Sequence, residues 1–183
     1  MGNDPRGEVL TAMARAAIAH RLGQDQPAPA APDWLNAPGA VFVTLTQGGE
    51  LRGCIGSLEA WRPLKQDLED NACAAAFRDP RFPALSADEL ARTRVEVSIL
   101  SKPEPMTFKN EADATAQLRP GIDGVILEWG RHRGTFLPQV WEQLPEPALF
   151  MRHLKQKAGL PPDFWADDVR LSRYTVEKHK EAR

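Results

Sequence analysis

Apolar residues recur at Leu10, Ala14, Ala17, Ile18 and Leu22, a helical spacing that Gly23 can close in a left-handed conformation. From Gln24 to Pro38 the chain holds four prolines among alanines, which predicts an extended tether anchored by Trp34 and Leu35. The pattern then switches to period two. Val41, Val43 and Leu45 alternate with Phe42, Thr44 and Thr46, and Gln47-Gly48-Gly49-Glu50 supplies the turn of a hairpin whose second strand starts at Leu51. Leu64, Leu68, Ala72, Ala75 and Ala76 mark an amphipathic helix from about Pro63 to Phe77, which Asp79-Pro80-Arg81-Phe82-Pro83 must break. Ser86 and Glu89 form a capping box for a short helix, followed by a strand carrying Val95, Val97 and Ile99.

The second half is less regular. A short helix is expected between Glu111 and Leu118, a turn from Gly121 to Gly124 and a strand from Val125 to Trp129. Arg131 to Gly134 then turns the chain into Thr135-Phe136-Leu137. Pro138 suits the first turn of a helix through Leu144, Pro147 begins another that Gly159 closes, and a last strand runs from Val169 to Val176. Hairpins and helices of uneven spacing, without regular βαβ alternation, predict an α+β fold with a mixed, largely antiparallel sheet and flanking helices. The charged tail from Lys178 to Arg183 is expected to be frayed.

Composition narrows the class. A chain of 183 residues, 42% hydrophobic and 26% charged, fits one globular domain spanning residues 1–183, with residues 24–38 as an internal tether. A net charge of -2 with both signs interspersed gives no electrostatic reason for a nucleic-acid partner. Arg15 interrupts the apolar stretch from Val9 to Ile18, so no signal-peptide core or membrane span is expected and the location is expected to be cytoplasmic. Two cysteines are too few for a disulfide scaffold or a four-thiolate zinc site. His20, His132, His153 and His179 lack metal-ligand spacing, so neither a metal nor a cofactor is expected.

The candidate chemistry lies in Leu51-Arg52-Gly53-Cys54-Ile55-Gly56. In an extended strand, Arg52 and Cys54 share a face about 6.7 Å apart, and a cation beside a thiol favours the reactive thiolate. Glycines flanking the cysteine let another backbone or a ligand approach closely. The competing reading is a small buried hydrophobe at a bulge. Glu96 faces opposite Val95 and Val97, as a base, as a partner for Arg52 or as part of a solvated strand face. Arg81 adds a second cation or pairs with Asp79, and Asp123 is a polar ligand-binding candidate or ordinary turn chemistry. Cys73, on a face with Phe77, is expected to pack.

This run resembles the signature of the AMMECR domain family, whose microbial members are called protein A of the AmmeMemoRadiSam system. Further blocks resemble that family in its order: Gly39 to Leu45, Ser57 to Ala60 with Pro63-Leu64, Ala76 to Phe82, Val95 to Leu100, Gly121 to Val125 and Thr135 to Trp141. The Ala- and Pro-rich tether is less family-like. The resemblance implies an α+β fold with a smaller subdomain and a cleft lined by the signature. It also implies association with a Memo-type protein and a radical S-adenosylmethionine protein, and it brings no established reaction. Two functions stay open. One is an enzyme in which Cys54 is the nucleophile or redox thiol, served by Arg52 and Glu96. The other is a non-catalytic component that binds a substrate, small anionic ligand, peptide or partner through Gly53, Ile55, Gly56, Arg81 and Asp123.

Overall fold

The computed structural model of the protein describes residues 5–182, which form an α+β chain. Its elements are α1 (Pro5–Arg21), β1 (Ala40–Gln47), β2 (Glu50–Gly56), α2 (Leu64–Phe77), α3 (Ala87–Leu90), β3 (Arg94–Leu100), β4 (Glu104–Pro105), α4 (Glu111–Gln117), β5 (Gly124–Trp129), β6 (His132–Phe136), α5 (Pro147–Lys157), β7 (Arg170–Tyr174) and β8 (Val176–Lys180). Strands pair antiparallel in two four-stranded sheets, ordered β2-β1-β3-β8 and β4-β7-β5-β6. The chain divides into two compact units. One takes the chain up to Leu100 and again from Glu177, and the other spans Ser101–Val176.

In the first unit, Gly48 and Gly49 take positive φ of 58° and 84°, the backbone that a tight hairpin turn matching strand twist requires. The inward positions Val41, Val43 and Leu45 of β1, with Val95 and Val97 of β3, pack with Leu10 and Ile18 of α1 and Leu68 and Ala72 of α2. Each fully buried leucine contributes about 2 kcal/mol. The tether crosses the surface with a short 3-10 turn at Asp33–Asn36, where Leu35 is buried and Trp34 lies 4.9 Å beneath the Arg6 guanidinium. Cys73 is buried, and burial raises its thiol pKa, as a packing cysteine should behave.

Two expectations are corrected at the C-terminal end. The strand expected from Val169 to Val176 is two strands, β7 and β8, with Thr175 between them. The tail expected to fray from Lys178 instead continues as β8 to Lys180, and Glu181 donates its N–H to the Val95 carbonyl. Its charges misled the reading because an edge strand keeps charged side chains while its backbone pairs. Residues 1–4 and Arg183 lie outside the described residues.

The second unit has its own core of Val125 and Leu127 on β5, Leu171 on β7, and Phe150 and Leu154 on α5. Trp141 stacks on Phe150 with centroids 3.7 Å apart, and its indole N–H donates to the Asp123 carbonyl. The helix expected from Pro138 is only a 3-10 turn, Pro138–Glu142. Gly159, at φ 88°, closes α5 as its position predicts. Lys155 is buried, with its ammonium on Glu111 at 2.7 Å and the Phe164 carbonyl at 3.1 Å.

Candidate functional site

The signature strand does not alternate regularly. In the β1–β2 ladder Leu45 pairs with Gly53 but Thr46 pairs with Leu51, so Arg52 is the extra residue of a β-bulge. This overturns the expected pairing of Arg52 with the thiol. The Arg52 guanidinium forks onto Glu89, with Nε to Oε2 at 2.9 Å, and donates from Nη2 to the Pro83 carbonyl at 2.8 Å. Glu89 is also the capping partner of Ser86 and accepts from Gln47 at 3.2 Å. Arg52, followed by Gln47 and the Ser86 N–H, depresses the Glu89 carboxyl to about 2. Arg52 thus ties β2 to α3, while Cys54 has a different set of partners.

Beyond the bulge the register is regular, and it builds a row. Cys54 lies opposite Thr44, and Thr44 lies opposite Glu96 on its other side. Directly opposed residues share a sheet face with Cβ atoms about 5 Å apart, so thiol, hydroxyl and carboxylate line up across three strands. Cys54 and Glu96 are half-buried, and the Cys54 sulfur lies 3.3 Å from Thr44 Oγ1. Of the readings open for Glu96, the partnership with Arg52 is not formed, because Glu89 holds that guanidinium.

The Cys54 backbone is clasped from the far side. Its N–H donates to Asp79 Oδ2 at 3.0 Å, and its carbonyl accepts from Arg81 Nη2 at 3.4 Å. Since β2 is an edge strand, these side chains take the places a fifth strand would fill. Asp79 and Arg81 also pair with each other, Oδ2 to Nη2 at 2.7 Å, and this bond holds the buried carboxyl well below the usual carboxylate range. Asp79 in turn raises the already high pKa of the Arg81 guanidinium. The Phe82 ring lies 5.8 Å from the Arg52 guanidinium carbon and 5.5 Å from that of Arg81.

The glycines have structural causes. A Cβ on Gly53 would stand 2.1 Å from the Ala75 carbonyl oxygen of α2, and one on Gly56 would stand 2.2 Å from the Phe42 ring. The close approach expected at both is therefore made by the protein itself. Ile55 packs against the core. Asp123 lies in the second unit, fully buried, where its carboxylate accepts from the backbone and guanidinium of Arg119. It anchors its turn. His132 stacks on Trp129 and bonds the Ala158 carbonyl through Nδ1 at 3.0 Å, so it is held in place.

Asp67 is a residue of the site that no motif singles out. Fully buried on α2, it accepts from the Val41 N–H at 2.9 Å, Ser57 Oγ at 2.6 Å, Arg62 Nε at 2.9 Å and Asn71 Nδ2 at 3.1 Å. This network fixes the end of β2 and the loop that follows. Among the described residues no three His, Cys, Asp or Glu side chains converge as a metal-ligand set, and no helix is long and apolar enough to cross a membrane.

The fold and site define an α+β protein of two antiparallel-sheet units, with a polar row around one cysteine on the first. The AMMECR1 family model matches residues 11–179, and the chain belongs to that family. A protein of Methanothermobacter thermautotrophicus is 40% identical over 183 residues, covering 93% of this chain and 92% of the relative. Protein MJ0810 of Methanocaldococcus jannaschii is 39% identical over 154 residues, covering 82% of this chain and 77% of that one. The crystal structure of the uncharacterised protein PH0010 from Pyrococcus horikoshii is similar with a TM-score of 0.82 at 34% identity, over 98% of this chain and 93% of that one.

Proposed function

We propose that the protein is a thiol-dependent enzyme whose nucleophile is Cys54. The observation that supports this is the row itself, with the sulfur 3.3 Å from the Thr44 hydroxyl and Glu96 opposite Thr44. A cysteine that only packs has no need of this alignment. Thr44 accepts the thiol proton and relays one to Glu96, while the sulfur bonds to an electrophilic atom of the substrate and the bond from that atom to its leaving group breaks, the leaving group departing with the electron pair and taking up the proton held on Glu96. Glu96 is the general base and Thr44 the relay. Asp79 and Arg81 are positioning residues that fix the backbone carrying the thiol. Arg52 does not take part, because its charge is satisfied by Glu89.

The family resemblance brings no reaction of its own but implies association with a Memo-type protein and a radical S-adenosylmethionine protein, and we place the proposed reaction alongside them. A non-catalytic binding role is the second reading, favoured by the solvent exposure of the Arg81 guanidinium beside the Cys54 carbonyl. Alkylation of Cys54 by iodoacetamide, in a Cys73→Ala background, separates the two. The enzyme reading expects native Cys54 to react faster than the same residue in urea, and Glu96→Gln and Thr44→Val to abolish the difference. Equal rates in native and unfolded chains, with Cys54→Ser leaving a cellular phenotype intact, would sink it. Loss of that phenotype in Arg81→Gln but not in Cys54→Ser would favour binding.

A further inference from the structure

Next to the cysteine row, at the end of the same sheet, lies a pocket of about 480 Å3 lined by Arg15, Thr46, Arg92, Thr93, Arg94 and Glu181 among others. Its charges are unequal in their availability. Arg15 is consumed: it forks onto Glu181 and donates to the Leu90 and Thr93 carbonyls. Glu181 is consumed as well, by Arg15 and by the Val95 N–H at 3.2 Å. Arg94 spends only Nε, on the Glu181 carbonyl at 3.0 Å. Its terminal nitrogens and the exposed Arg92 make no ion pair among the described residues. Among the described residues, two arginines without carboxylate partners therefore line a pocket whose one acidic side chain is already neutralised.

We propose that this pocket holds an anionic group, a carboxylate or phosphate, on Arg92 and Arg94. Guanidinium forks match both anions, and the hydroxyl-bearing Thr46 supplies a further donor to a terminal oxygen. Its place gives it a meaning. Arg94 lies opposite Thr46, and Glu96 opposite Thr44 with Cys54 beyond, so the arginine row is one same-face step from the thiol row, about 6.8 Å along the strands. Resting on the thiol reading above, this assigns the substrate class: an electrophile whose anionic group lies one same-face step along the strands and two strand spacings across from its reactive atom, about 12 Å on the backbone grid.

Two measurements test it in a Cys73→Ala chain. In the first, inorganic phosphate is titrated while the thermal midpoint is followed. The expected result is a midpoint that rises with phosphate in the parent chain and not in Arg92→Gln/Arg94→Gln. An equal rise in both, or none in the parent, overturns the anion site whether or not Cys54 is reactive. In the second, Cys54 is modified by the anionic disulfide 5,5′-dithiobis(2-nitrobenzoate) and by the neutral 2,2′-dithiodipyridine. In each case the thiolate attacks one sulfur, a mixed disulfide forms at Cys54 and one arylthiolate leaves. The ratio of anionic to neutral rate should fall about threefold to tenfold in the double variant, and phosphate should compete with the anionic reagent alone. An unchanged ratio at a reactive Cys54 defeats the substrate assignment and leaves the thiol reading standing. A Cys54 slow toward both reagents defeats the thiol reading, and with it the assignment of a substrate class.

Discussion

Two arginine–carboxylate pairs flank the signature strand, and they are built with opposite polarity. In Arg52–Glu89 the cation is the hidden member, its side chain 9% exposed against 20% for the carboxylate. In Arg81–Asp79 the carboxylate side chain is hidden, at 2%, and the arginine side chain is 54% exposed. The first arrangement spends a cation on the fold. The second spends an anion on the fold and leaves the cation at the surface, beside the Cys54 backbone. Arg119–Asp123 in the second unit repeats the second polarity, with the acid fully buried and the arginine 52% exposed, but no thiol lies in its hydrogen-bond network. An exposed arginine over a buried acid is thus a way of bracing a loop, and only the Cys54 row gives the first-unit copy chemical interest.

The largest test of this contrast is Arg52→Ala. Removing the buried cation leaves Glu89 unpaired, and the expected loss is about 2–4 kcal/mol, reduced from a fully buried case because Glu89 is partly solvated. Denaturant unfolding measures it. A loss under about 1 kcal/mol would mean that Arg52 is not a structural hub and would reopen it as a site residue. Gly53→Ala comes next, at about 2–3 kcal/mol, because its Cβ would meet the Ala75 carbonyl and only a backbone shift of α2 relieves that. Gly56→Ala should cost less, since its obstacle is the Phe42 ring, which can rotate away. Equal costs for the two would show that α2 does not sit as tightly on β2 as the geometry requires.

Most of the architecture was legible because it rests on local periods. The period-two run of β1, the 3.6-period face of α2, the Ser86–Glu89 box and the closing glycines at 23 and 159 are each decided within a few residues. What could not be read was decided by distant partners. The bulge at Arg52 depends on how β2 registers on β1, and one inserted residue separates Arg52 from the face assigned to it. Gly53 is explained by α2, more than twenty positions away. Asp67 was readable in principle: it stands three residues after Leu64 and four before Asn71, on the helix face that Leu64 begins, so one edge of the apolar face is polar. Glu89 carried a smaller hint, since a capping box uses one of its two oxygens and leaves the other for a cation.

The pairs should also differ in acid. Glu89 sits at about 2 in the folded protein against an ordinary 4.5, chiefly because of Arg52. A depressed carboxyl stabilises the fold above its unfolded value, and that stabilisation is lost as pH falls through the folded one. The window is therefore from about pH 4.5 down to about pH 2. Wild type should lose about 1–2 kcal/mol across it from this group after solvent screening, and Glu89→Gln should be less stable at neutral pH but flatter through the window. Parallel pH curves for the two would show that the Arg52–Glu89 pair does not form in solution.

The smallest stability effect belongs to Arg81→Gln, and here the polarity argument is sharpest. The exposed guanidinium is screened by water, so its pairing with Asp79 should contribute under about 1 kcal/mol. Asp79 also keeps the N–H groups of Cys54 and Arg81, both of which survive the substitution. What should change is selectivity at Cys54. With the cation gone, alkylation by iodoacetate should slow about threefold relative to the neutral iodoacetamide, whereas in Arg52→Lys, which keeps a charge already committed to Glu89, the ratio should hold. A ratio that follows Arg52 and ignores Arg81 would invert the assignment of the two cations, returning Arg52 to the thiol and making Arg81 only a brace for the edge strand.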